Sequence, residues 1–172
     1  MDNETIPFVR IASSDDFQKV TELLQSENLP VEDIPKDLAH FFVIDYGGKI
    51  VAAGGLEVYE NTGLLRSMIV DKEFRNRSLA AILLNRLLLY ASEQEITALY
   101  LITTTAEKYF ERTGFKIISR GQGSAVHSFF QGIQHPLSVD RYRNEEGFIN
   151  DHILWKKRKF SLFVLRIVIE VR

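Results

Sequence analysis

Two rhythms of apolar and polar residues succeed one another along the first 119 positions of the chain. Short β-prone runs occur at 7–12 ("PFVRIA"), 40–45 ("HFFVID"), 50–59 ("IVAAGGLEVY"), 64–70 ("LLRSMIV"), 96–103 ("ITALYLIT") and 115–119 ("FKIIS"), each bounded by turn-forming residues. Between them lie segments with helical spacing. Phe17, Val20 and Leu24 recur after "SSDD", where Ser14 or Asp15 can cap a helix. A broad apolar stripe fills 77–91, and "TTAEKYFERTGF" predicts a short helix closed by Gly114. The stretch "SENLPVEDIPKDLA", with two prolines, reads as a loop or irregular helix. "YGGK" and "ENTG" read as turns, and the Gly54–Gly55 pair as a bulge or a close backbone approach. The predicted order is β-α-β-β-β-α-β-α-β, an α/β (α+β) chain with a mixed sheet and helices on its faces.

Beyond 119 the rhythm fades. "GSAVHSFFQGI" suggests a short helix, "DRYRNEEGFINDH" is linker-like, and "WKKRKFSLFVLRIVIEVR" is a basic cluster leading into a β-prone run. We divide the chain into a domain at 1–139 and an extension at 140–172, a linker plus a strand. That strand has three readings: a last strand with a solvated basic lead-in, a strand exchanged with a partner copy in a homodimer, or a basic patch touching membrane or nucleic acid.

Composition narrows the function classes. The chain has 172 residues, 45% hydrophobic and 26% charged, which suits one domain with an appendage. Its formal net charge of -2 supplies no global field toward nucleic acid or anionic lipid. The absence of cysteine excludes disulfides, thiolate zinc sites and a cysteine nucleophile. The polar start "MDNETIPFVR" is no secretory signal, and "FSLFVLRIVIEVR" is short of the roughly 20 residues of a membrane helix. A cytoplasmic protein, with no nucleic-acid and no membrane partner, is expected. His40 opens a strand beside two phenylalanines, and His127, His135 and His152 show no metal-ligand spacing, so no metal is expected.

The chemistry concentrates at "VDKEFRNRSLAAIL", residues 70–83. A strand, a turn and a helix start form an anion site because first-turn amides lack intrahelical partners and the helix dipole adds positive charge. Arg75 and Arg77 can face diphosphate oxygens, and Ser78 can cap or donate. Exposed loop residues are the alternative reading of the same spacing.

"IVDKEFRNRSLAAILLNRLLL" resembles the acetyl-CoA signature of the GNAT N-acetyltransferase superfamily: Arg75 stands at its arginine, Ser78 at its first glycine and Ala80 at its second small residue. "YLITTTAEKYFERTGFKII" resembles the superfamily's next strand and helix, and the likeness covers roughly 6–119. Within the superfamily, "GLLRSMIV" is similar to the arsenic-resistance N-acetyltransferases and more distantly to the acetyltransferase domain of N-acetylglutamate synthases. "FFQGIQHPLSV" loosely resembles the former's closing segment.

The resemblance implies a three-layer fold whose mostly antiparallel sheet splays between its fourth and fifth strands, with acetyl-CoA as co-substrate in the gap. Met68, Ile69 and Val70 would hold the pantetheine and polarise the thioester. Arg75, Asn76, Arg77, Ser78, Leu79 and Ala80 would hold the pyrophosphate, mainly through backbone N–H groups. A helical residue 78 would make serine cheap there, whereas a positive φ would cost roughly 1 kcal/mol or more. The superfamily's usual tyrosine acid is replaced by Phe110, and Tyr109 beside it points about 100° away around the helix.

On the acceptor side, a turn at Asn61–Thr62 flanked by Glu60 and Gly63 puts Glu57 opposite Arg66 on one face. A solvated cross-strand ion pair is one reading. The other makes Arg66, with Ser67 and Thr103, bind the acceptor, a small and amino-acid-like amine, and makes Glu57 the general base. Thr103, Thr104 and Thr105 can also simply cap a helix. An N-acetyltransferase is therefore expected, with a non-catalytic CoA-binding protein and an assembly module as alternatives.

Overall fold

The computed structural model describes residues 6–101, 103 and 106–118, with the backbone alone for 117–118, 153–154, 158–160 and 163–165. The elements follow the expected order: β1 (Phe8–Ile11), α1 (Phe17–Gln25), β2 (Phe41–Tyr46), β3 (Lys49–Tyr59), β4 (Thr62–Val70), α2 (Leu79–Glu93), β5 (Ala98–Leu101), α3 (Glu107–Arg112) and β6 (Ile117–Ile118). Five strands form one sheet in the order β1-β2-β3-β4-β5. By contacts the chain divides into two units, Met1–Glu57 with Leu65–Ala91, and Val58–Leu64 with Ser92–Arg172.

The first unit is three layers thick. Alternation in β2 sends Phe41 and Val43 to one face, where they join Val20, Leu23 and Leu24 of α1, Ala53 of β3 and Ile69 of β4 in a single buried cluster. Val20 and Leu24 are fully buried, each worth about 1.5–3 kcal/mol. Phe42 faces the other way, under Arg86 and Tyr90 of α2. β2 pairs antiparallel with both β1 and β3. The turn between β2 and β3 uses Gly47 and Gly48, both at positive φ.

Gly54 and Gly55 mark close approaches. A Cβ at Gly54 would sit 2.6 Å from Met68 Sδ, and one at Gly55 would sit 2.5 Å from the Phe41 ring. The register shift in this hairpin falls instead at Ile44/Asp45. The first cap also differs from the expected Ser14 or Asp15. A 3-10 turn, Ser14–Asp16, precedes α1, and the Asp16 carboxylate accepts the Ser13 N–H at 2.9 Å. Asp16 is then the residue free to receive Arg10, at 2.6 and 2.8 Å, so capping and ion pairing use one buried carboxylate.

In the second unit, Asn61 O accepts the Thr97 N–H at 2.7 Å, and Gly63 lies against Leu99. Both contacts advance together along the two strands, so this end of β4 runs parallel to β5. Helix α3 ends as expected at Gly114, with φ 90. Phe115 N–H reaches Phe110 O and Gly114 N–H reaches Glu111 O, the paired bonds of a Schellman cap.

Within the β-prone tail the described residues are short pieces. β8 (Arg158–Phe160) and β9 (Phe163–Leu165) pair antiparallel, while β7 (Ile153–Leu154) pairs with β6. The expected helix at 123–133, the linker, the 139/140 boundary, "FFQGIQHPLSV", Thr104, Thr105, His127, His135 and His152 lie outside the described residues.

Candidate functional site

Strand β4 leads into the charged turn through Asp71, whose N–H donates to Val51 O at 2.9 Å and whose carboxylate caps the short 3-10 turn Lys72–Phe74 by accepting from Glu73 N–H. Lys49 pairs with Asp71 at 2.8 Å, and both Lys49 and Arg77 stand over the Phe74 ring. Arg75 is tied back to the strand by its Nε, which donates to Val70 O at 3.2 Å, and its Nη2 meets Glu27 at 3.0 Å. Lys72 reaches the same Glu27 carboxylate at 3.3 Å.

Two residues of this turn take left-handed backbone, Asn76 at φ 61 and Ser78 at φ 60. The second decides where α2 starts. Ser78 is not helical, so the helix begins at Leu79 rather than 77, and Ser78 O accepts its first bond, from Ile82 N–H at 3.0 Å. The following N–H groups, those of Leu79 and Ala80 among them, then have no intrahelical acceptor. Asn tolerates the left-handed region, but serine there carries about 1–2 kcal/mol of strain. Arg75, Asn76, Arg77 and Ser78 are all exposed.

A second group gathers on β3 and β4. Their turn is Glu60–Asn61 rather than Asn61–Thr62, since β3 runs to Tyr59 and β4 starts at Thr62. Glu57 and Arg66 still share a face, and Arg66 Nη1 donates to Glu57 Oε1. The same guanidinium gives Nη2 to Asp33 Oδ1 at 2.7 Å. This is not a solvated surface pair: the side chains of Arg66, Asp33 and Glu57 are 12%, 7% and 19% exposed. Next to Arg66, Ser67 takes φ 56 in mid-strand, with its hydroxyl 3.5 Å from Arg66 Nε. Such a kink takes backbone groups out of the regular ladder, as a β-bulge does. Beyond it Met68 faces Gly54, and Ile69 enters the core.

A family model described as "Acetyltransferase (GNAT) domain" matches residues 37–117. Residues 37–117 are thus similar to a GNAT acetyltransferase domain. The match begins after Glu27 and Asp33, takes in Glu57, Arg66 and the turn at 71–78, and ends in β6. An uncharacterized N-acetyltransferase of Chlorobaculum tepidum is 27% identical over 116 residues, 64% of this chain and 74% of that protein. An amino-acid acetyltransferase of Mannheimia succiniciproducens is 29% identical over 118 residues, 63% of this chain but 27% of that protein. This chain thus spans about a quarter of the amino-acid acetyltransferase.

Among solved structures, Rv2747 from Mycobacterium tuberculosis, in complex with CoA, superposes with a TM-score of 0.68 at 21% identity, over 86% of this chain and 98% of that one. N-acetylglutamate synthase from Neisseria gonorrhoeae, complexed with coenzyme A and N-acetyl-glutamate, gives 0.65 at 17%, over 88% and 35%. These likenesses establish the GNAT three-layer fold, with its mixed sheet.

Phe110, where the resemblance led to the expectation of a tyrosine, is buried against Phe115, ring centroids 5.1 Å apart. Tyr109 packs edge-on to Phe110. Its hydroxyl is buried with no hydrogen-bond partner among the described residues, and burial pushes its pKa up, so at neutral pH it holds its proton. Thr103 Oγ1 accepts the Ala106 N–H at 3.1 Å, leading into α3. His40 is paired with Tyr90, Nδ1 to hydroxyl 2.7 Å. Among the described residues, no three or more acidic, His or Cys side chains gather as a metal site, and no helix is long and apolar enough to cross a membrane. Glu27 and Asp33 were missed in the sequence. Each sits in or beside the loop after α1, where no local period links it to residues about 30 or more positions away.

Proposed function

We propose that this chain transfers the acetyl group of acetyl-CoA to the amine of a small, amino-acid-like acceptor, in the cytoplasm. The observation that carries the proposal is the left-handed Ser78 opening α2. It reproduces, without glycine, the strand–turn–helix anion cradle that the GNAT signature describes. The first-turn amides, with Ser78, Leu79 and Ala80, hold the pyrophosphate, and Arg75, Asn76 and Arg77 line its approach. Backbone groups of Met68, Ile69 and Val70, past the kink at Ser67, hold the pantetheine and polarise the thioester carbonyl.

Glu57 is the general base. The acceptor arrives as an ammonium and is not nucleophilic until a carboxylate takes its proton, and Glu57 is held in place for this by Arg66. Arg66 has five N–H donors, enough to serve two acids and still offer an edge to an acceptor carboxylate. Ser67, beside Arg66, adds its hydroxyl to the acceptor's surroundings. The names of the relatives and of neighbours such as a diaminobutyrate acetyltransferase support an amino-acid-like acceptor.

The test is CoA thiol release from acetyl-CoA across a panel of L-amino acids and diamino acids. Arg66→Ala raises the acceptor's KM far more than that of acetyl-CoA. Glu57→Gln cuts kcat at neutral pH and recovers in part at high pH. A Glu57→Gln enzyme with normal rate and pH profile removes Glu57 as the base.

A further inference from the structure

We propose that Asp33 is a positioning residue of the acetyl-transfer site, acting through Arg66 to set where Glu57 lies and the pH at which it titrates. The inference rests on Glu57 as the base. Asp33 belongs to the segment between α1 and β2, which the sequence marks only as a proline-containing loop. That segment is anchored rather than loose. Ile34 and Leu38 are buried in the core, Leu29 and Val31 pack against it, and Leu38 N–H donates to Pro35 O at 2.9 Å. An acid carried on so fixed a loop, with its side chain 7% exposed, is placed rather than solvated.

Its target is one side of a planar fork. Asp33 Oδ1 takes Arg66 Nη2 at 2.7 Å while Glu57 takes Nη1, and Nε lies toward Ser67 Oγ at the strand's kink. A guanidinium is rigid, so fixing Nη2 fixes the plane and the direction of Nη1. Asp33 thereby sets where the Glu57 carboxylate can sit. It also acts electrostatically: it is a second negative charge on the cation that stabilises ionised Glu57. The charged groups seen around Glu57 include Arg66 from β4 and, through it, Asp33. His40 O accepts the Leu56 N–H of the neighbouring strand, but its ring turns to Tyr90.

Withdrawing the Asp33 charge leaves the guanidinium to Glu57 and removes a like-charged neighbour, and both changes favour the ionised base. Asp33→Asn therefore moves the Glu57 titration to lower pH, by about half a unit to one unit. The probe is the full chain labelled with 13C at the Glu side-chain carboxyl and titrated by NMR, with the Glu57 signal assigned by its loss in Glu57→Gln. In parallel, kcat/KM against pH is followed with acetyl-CoA and the fastest amino acid of the panel.

The expected result is a lower midpoint in Asp33→Asn, a matching fall of the acid limb, and a lower kcat. Asp33→Glu, which keeps the charge, restores the wild-type limb. Asp33→Ser serves if the amide variant does not fold, with the same downward shift expected. A folded Asp33→Asn with an unmoved midpoint overturns the proposal. If the midpoint moves but Glu57→Gln keeps the wild-type acid limb, the base assignment fails while the coupling of Asp33 to Glu57 stands.

Discussion

Ser78→Gly is a substitution at an exposed position, yet the backbone angle there predicts a stabilisation. At φ 60, a serine Cβ crowds the following carbonyl, at about 1–2 kcal/mol. Glycine removes that strain. It also loosens the unfolded chain, which costs about 0.4–1 kcal/mol. The difference is a net gain of about 0.5–1 kcal/mol, or a rise in Tm of about 1–4 °C for a chain of this length. A glycine in the middle of α2 should instead destabilise by up to about 1 kcal/mol, so Asn85→Gly, at an exposed mid-helix position, is the control with the opposite sign. Ser78→Ala separates backbone from hydroxyl: it keeps the Cβ and the strain and should give no gain. Ser78→Val adds β-branching at positive φ and should be worse than wild type. Urea unfolding and thermal melts, with and without saturating CoA, read all four variants. The cradle's amides are already in place, so Ser78→Gly should bind CoA within about threefold of wild type, about 0.6 kcal/mol. If Ser78→Gly destabilises as Asn85→Gly does, residue 78 is not left-handed and the reasoning fails.

Two other contacts give predictions of different kinds. Asp16 has its carboxyl lowered from 3.8 to about 2, chiefly by the Arg10 hydrogen bond, with burial opposing and Ser13 N–H assisting. Because the folded pKa lies below the unfolded one, the stabilisation is complete above pH 3.8 and is lost as pH falls toward 2. Discounted for the partly exposed Arg10, it is about 1–2 kcal/mol. Urea unfolding of wild type and Asp16→Asn should diverge at pH 6 and converge near pH 2, and a gap that does not change with pH would contradict the assignment. Glu27 already bridges Arg75 and Lys72, the cations a diphosphate would meet. Glu27→Gln should therefore tighten CoA up to about fivefold at low salt, with the gain fading as salt rises. Weaker CoA binding in calorimetry would show that Glu27 orients Arg75 instead of competing for it.

What could be read in advance follows the range of the forces involved. The order of strands and helices through 119 was legible because amphipathic spacing is local, and α1 and β2 show it in Val20, Leu24, Phe41 and Val43. The Glu57–Arg66 contact was legible even though the turn was misplaced by one residue, since a strand period of two kept both residues on one face. Asp33 was not legible, because its partner is 33 positions away and the loop that carries it is fixed by Ile34 and Leu38 entering a core assembled from other elements. The start of α2 was misplaced for a third reason. Arg77 and Ser78 are ordinary helix-start residues before the apolar stripe, and nothing in side-chain type reveals that the backbone at Ser78 has turned left-handed. That same fact explains why the loop looks damaged when judged by residue identity. A glycine in such a signature stands for an angle and a close approach. Here Asn76 and Ser78 supply the angle at φ 61 and 60, and Ala80 supplies the small side chain. The left-handed backbone is therefore present without the residue that usually marks it, at the expense of a strain that a single Ser78→Gly change should release.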